Sequence, residues 1–146
     1  MEKSVISLFD QIKDIFELED VEAKQYSPLT LAYIGDAVYE IIIRTILVEH
    51  GNAPVNKLHQ KASSLVKAQA QANLIHLIEK DLTEEEMFVY KRGRNAKSAT
   101  TAKNASIRDY RTATGLEALV GYLYLDNQME RALKLVKLGL ERMERI

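Results

Sequence analysis

The chain has 146 residues, 47% of them apolar and 28% charged, with a net charge of −1 and no cysteine. That length suits a single core, so residues 1–146 are expected to form one domain. The lack of cysteine excludes a disulfide framework and a thiolate metal site.

The N-terminal stretch "MEKSVISLFDQIKD" mixes charged with apolar residues, unlike a signal peptide. No stretch reaches the roughly 18 uncharged apolar residues of a membrane span, and the expected location is cytoplasmic. Apolar spacings of three and four run through nearly the whole chain, so the predicted class is all-α.

Residues 4–17 place Val5, Leu8, Phe9, Ile12, Ile15 and Phe16 on one helical face. Ser27 followed by Pro28 marks the start of a second helix, which runs to about His50 and stops at Gly51. It is apolar nearly all round, which places it at the centre of a helical bundle. Asn56 is a candidate cap for the next helix, with Leu58, Ala62, Leu65 and Val66 inward. "AQAQANLIHLIEK" continues in helical period. Thr83 and Glu86 have capping-box spacing before "MFVY". The segment 91–105 reads as part helix end and part loop. A helix is expected over roughly 107–125. A looser cap at Asn127 and Glu130 opens the last helix, with Leu133, Val136, Leu140 and Met143 inward.

Two features do not fit a plain bundle. First, residues 91–111 carry seven lysines and arginines against one acid, Asp109, so this block is +6 while the remainder is −7. Such an asymmetry suits contact with a polyanion, against the plainer reading of a solvated loop. Second, "LAYIGDAVYEIII" sets Gly35 and Asp36 inside the most apolar helix. A glycine in a helix interior costs about 0.5–1 kcal/mol relative to alanine, and close approach of another backbone, or of a ligand, would justify it. An unpaired buried carboxylate costs more, so Asp36 needs a partner or a use. Asp36, Glu40 and Arg44 share one stripe, and an ion pair along it would be the structural explanation.

"TGLEALVGYLYLD" repeats the pattern, with Glu117 one turn before Gly121. Thr114 and Glu117 also have capping-box spacing, an alternative use for that carboxylate. Helices packed across each other at Gly35 and Gly121 would bring the carboxylates together. One or two carboxylates with water and substrate phosphate are how Mg²⁺ is commonly held, and a water so activated attacks a phosphodiester.

Other chemistry is absent. His50, His59 and His76 are too dispersed for a zinc pair, and no glycine-rich phosphate loop follows a strand. Tyr33, Tyr39, Tyr122 and Tyr124 fit core positions with wet tips rather than a stacking platform.

"YIGDAVYE" and "LEALVGYLYLD" resemble the two acidic helices of the ribonuclease III family, in the same order and at similar separation. "KRGRNAKSATTAKN" resembles that family's short bacterial subgroup, which lacks the double-stranded-RNA-binding domain. The similarity runs from about Leu29 to Asp126. It implies an all-α, ribonuclease III endonuclease-domain fold and a homodimer that cuts double-stranded RNA with Mg²⁺, Mn²⁺ being able to substitute. It further implies precursor 23S ribosomal RNA, trimmed near its 5′ and 3′ ends, as substrate. Asp36 and Glu117 would be the catalytic, metal-binding pair. Two further family carboxylates do not carry over: Ala32 and Thr114 stand in their places, as in the subgroup. Without a second RNA-binding domain, Lys91, Arg92, Arg94, Asn95, Lys97 and Lys103 would grip the duplex, and a ribosomal protein on the substrate would assist. The alternatives are a non-catalytic helical RNA-binding or ribosome-assembly module, and a DNA-binding helical domain.

Overall fold

The computed structural model describes residues 7–97 and 106–146. Seven α-helices lie among the described residues: α1 (Leu8–Ile15), α2 (Pro28–Glu49), α3 (Val55–Val66), α4 (Ala68–Ile78), α5 (Glu84–Asn95), α6 (Ile107–Leu125) and α7 (Met129–Arg142). Short 3₁₀ turns at Ala23–Gln25 and Glu79–Asp81 complete the order, and no strand occurs among the described residues. No helix is long and apolar enough to cross a membrane among them.

The helix starts follow the side-chain chemistry. Ser27 Oγ accepts from the Thr30 amide, 3.2 Å away, and Pro28 occupies the first turn of α2. Thr83 and Glu86 form the expected reciprocal capping box at the head of α5. Ser106 caps α6 through the Asp109 amide at 3.0 Å. Gly51 follows α2 at φ 141°, a conformation L side chains rarely adopt.

Several expected caps and faces differ. α3 starts two residues early, with Pro54 in the cap position and Val55 its first residue, so Asn56 lies inside it. Asn127 adopts φ 58° instead of capping α7, and its side chain binds Ser7 and Asp10 across 120 and 117 residues. That link fastens α1, which buries none of its residues. On α7 the inward set is Ala132, Leu135, Val136, Gly139 and Leu140, while Leu133 is exposed. The face is rotated because Gly139 must meet the Leu74 side chain of α4.

The central helix is α6, not α2. Residues Thr112–Leu116 and Ala118–Leu123 are all buried, because α2, α4 and α5 pack around it. Glu117 is the one half-buried position in that run. α2 covers one side of α6 with Leu31, Gly35, Val38, Ile42 and their neighbours. Its other side is open: Tyr33 is 80% exposed and Ile41 57%. Nearly continuous apolarity in α2 therefore signals two faces, one on the core and one uncovered. Of the four tyrosines expected in the core, Tyr39 and Tyr122 are buried, with their hydroxyls donating to Leu65 O at 3.0 Å and Glu85 Oε1 at 2.7 Å. Tyr124 is half-buried, and Tyr33 is the exception.

Candidate active site

α2 crosses α6 at its two glycines. A Cβ on Gly35 would lie 1.7 Å from the Glu117 carbonyl oxygen, and a Cβ on Gly121 would lie 1.9 Å from the Leu31 carbonyl oxygen. Only hydrogen on both Cα atoms lets the backbones meet this closely. The crossing falls on Glu117 itself, and Asp36 follows Gly35, so the two carboxylates are brought together within hydrogen-bonding reach.

They differ in environment. Asp36 is exposed, contrary to the expectation from its apolar flanks. Glu117 is half-buried beneath the crossing. Burial raises its carboxyl, the adjacent Asp36 charge and hydrogen bond raise it further, and a hydrogen bond from Gln71 pulls it back; the balance lies at about 8. Among the described residues neither Asp36 nor Glu117 has an ion-pair partner. The Glu40–Arg44 pair of the same stripe closes on itself at 3.5 Å. Nor is Glu117 part of a helix cap. α6 begins seven residues before Thr114, whose Oγ1 donates to Tyr110 O at 2.9 Å. Tyr39 lies close enough for the Glu117 charge to add to burial in raising its phenol, which stays protonated.

The basic block divides at the end of α5. Lys91, Arg92, Arg94 and Asn95 occupy its last turns, and Lys97 follows the cap at Ala96; Lys103 lies outside the described residues. Lys91, Arg92, Asn95 and Lys97 are exposed. Arg92 lies over the Phe88 ring and half-buried Arg94 over the Tyr90 ring, 5.8 and 5.5 Å from the centroids. Cations at a helix C-terminus also complement the backbone dipole, so part of this charge supports the helix. Gly93, between the two arginines, sets the position. Its Cβ would lie 2.6 Å from Ala118 Cβ and 3.0 Å from Gly115 Cα. The arginine segment is therefore fixed to α6 at residues that flank Glu117.

Known proteins resemble this chain over most of its length. A family profile described as Ribonuclease III domain matches residues 29–128. The chain is 56% identical to Mini-ribonuclease 3 of Clostridium tetani over 84% of this chain and 82% of that protein. It is 44% identical to Mini-ribonuclease 3 of a Thermoanaerobacter species over 99% of both. A crystal structure of a Fusobacterium nucleatum protein, 30% identical, superposes with a TM-score of 0.75 over 84% of this chain and 98% of that one.

The chain belongs to the ribonuclease III family, in its Mini-ribonuclease III subgroup. It is an endoribonuclease of the kind that acts on double-stranded RNA. Ribonuclease III enzymes in general depend on a divalent metal, and the donor set can be tested against one. Among the described residues no three His, Cys, Asp or Glu side chains cluster. Buried Ala32 and Thr114 fill the places of the two missing carboxylates. Two hard oxygen donors, one of them held 3.4 Å from the buried Gln71 amide nitrogen, fit an ion that keeps most of its waters.

Sequence reasoning did not single out Gln71. It repeats the spacing of Leu74, Ile75 and Ile78 on the buried face of α4, a polar residue in an apolar row, and that was the available signal. Gly93 and Gly115 were missed because contact between α5 and α6 has no sequence signature.

Proposed function

We propose that this chain is a Mg²⁺-dependent endoribonuclease, with Mn²⁺ able to substitute, that works as a cytoplasmic homodimer on double-stranded regions of precursor 23S ribosomal RNA. In this reading residues 1–146 form one catalytic domain. The observation that carries the catalytic part is the meeting of Asp36 and Glu117, free of ion pairs, at the Gly35–Gly121 crossing. The ribosomal RNA substrate, trimmed near its 5′ and 3′ ends with the help of a bound ribosomal protein, rests on the likeness to the subgroup.

Asp36 and Glu117 hold the ion through oxygen. When bound, the ion supplies water activation and neutralises charge developing on the phosphodiester. Arg92, Arg94, Lys91, Asn95 and Lys97, with Lys103 beyond them, contact the backbone of an A-form duplex and place it across α6. The open side of α2 supports a homodimer. Tyr33, Ala37 and Ile41 form an exposed stripe that continues onto Leu8 of α1 and Leu133 of α7. An uncovered apolar surface of this kind marks an interface, and a second copy would set two acidic sites beside it.

The test is duplex cleavage by Asp36→Asn. Loss of cleavage by about 100-fold or more, with duplex binding and melting retained, supports the reading. Uncut duplex with the unaltered protein in every divalent metal would favour the non-catalytic RNA-binding module instead.

A further inference from the structure

Gln71 is 3% exposed, a polar side chain in the buried face of α4. Its Nε2 lies 2.8 Å from Val66 O and 3.4 Å from Glu117 Oε2. A backbone carbonyl can only accept, so the Val66 bond lets the amide point only one way: NH₂ toward Val66 O and Glu117, Oε1 away. Val66 is the last residue of α3, and its carbonyl is one of those a helix end leaves without an intrahelical donor. The carboxamide thus ties the α3–α4 corner to Glu117. Its Oε1 is buried and has no hydrogen-bond partner among the described residues. Burying an acceptor unsatisfied is costly, and a leucine or methionine here would avoid that cost while packing equally well. A purely structural link to Val66 O would use one amide proton and leave the second without a purpose, whereas here the second reaches Glu117.

We infer that Gln71 is a positioning residue for the active site: its NH₂ holds the Glu117 carboxylate in the orientation that meets Asp36. The inference rests on the reading of Asp36 and Glu117 as the metal-binding pair. The Val66 bond anchors the amide, so that the Glu117 side chain is held by a rigid corner. Partners of this type that orient a metal ligand typically affect affinity or turnover by about 10–100-fold.

Gln71→Met keeps the volume and removes both the donor and the acceptor. Expected results are a rise of about tenfold in the Mn²⁺ concentration that half-saturates the RNA-free protein, read by electron paramagnetic resonance, and a fall of about tenfold or more in kcat with KM for duplex RNA unchanged. A purely structural role would lower the melting temperature but leave metal affinity and kcat of the folded fraction unaltered, and that result overturns the inference. If Gln71→Met does not fold, the unaltered protein still decides. The Gln71 side-chain amide signals should shift on Mg²⁺ titration along the curve of the Glu117 carboxyl, and signals that stay in place at saturation refute it. Normal cleavage by Asp36→Asn would instead defeat the underlying reading. A dead Asp36→Asn with a fully active Gln71→Met removes the Gln71 role alone.

Discussion

Gly35 and Gly121 meet backbone to backbone, the Gly35 amide nitrogen lying 3.0 Å from where a Cβ on Gly121 would stand. This contact does for the active site what a metal or disulfide does elsewhere: it fixes the relative placement of two helices through glycines 86 residues apart in the chain. Adding a methyl at Gly35 would place it against the Glu117 carbonyl, which belongs to a helix packed on every side and cannot yield.

Gly35→Ala is therefore expected to destabilise the protein at the upper end of the roughly 1–3 kcal/mol range for overpacking. The folded fraction should also lose metal binding, since α2 must move away from Glu117. Denaturant melts and Mn²⁺ titration check this. An alanine variant as stable as the parent would show that the helices do not cross in contact.

Metal uptake should release a proton. With its carboxyl held at about 8, Glu117 is protonated at neutral pH in the metal-free protein, and a cation must displace that proton. Calorimetric Mg²⁺ titration in buffers of different ionisation enthalpy should report about one proton released per ion near pH 6.5 and close to none near pH 9.5. The same group makes a stability contribution of known sign. A carboxyl raised in the folded state stabilises most below its ordinary value of 4.5, and that contribution is lost as pH rises toward 8. Proton release that does not vary with pH would exclude Glu117 as a ligand.

Glu86 behaves in the opposite sense. It is 4% exposed, caps α5 and pairs with Arg131, whose Nε and Nη2 lie 2.9 Å from its oxygens. Burial alone would raise its carboxyl; hydrogen bonds from Arg131 and Thr83 outweigh that and hold it below 4.5. Its stabilisation is full above pH 4.5 and is lost as pH falls through the lowered folded value. Arg131→Met should cost about 2 kcal/mol, less than the roughly 3–5 of a fully buried pair because Arg131 is partly solvated. It should also reduce the loss of stability on acidification. Urea melts at pH 7 and pH 4 read both effects, and an unchanged pH dependence would clear the pair.

Arg92 and Arg94 are expected to bind phosphate. Replacing both with glutamine should weaken duplex binding and reduce the slope of log affinity against log salt by about one per lost contact. Because Gly93 remains, the seating of α5 on α6 and the melting temperature should change little. An unaltered slope would assign these charges to the dipole of α5 alone.

Much of this protein is determined locally and is readable in the chain: helix starts at Ser27 and Thr83, the helix over roughly 107–125, the stop at Gly51, and the two glycine–carboxylate segments. Caps and helical periods depend on side chains within a few residues of each other, so they survive reading without coordinates. Which face of a helix is covered does not. α2 and α6 are both apolar, and only packing by α2, α4 and α5 makes α6 the centre and leaves Tyr33 and Ile41 of α2 uncovered. The sequence marked Asp36 as the carboxylate in trouble, but tertiary structure desolvates Glu117 and leaves Asp36 in water. Gln71 acquires its partners only when the α3–α4 corner docks on α6. Desolvation and hydrogen bonding between distant segments depend on what the fold brings alongside, and no local pattern encodes that.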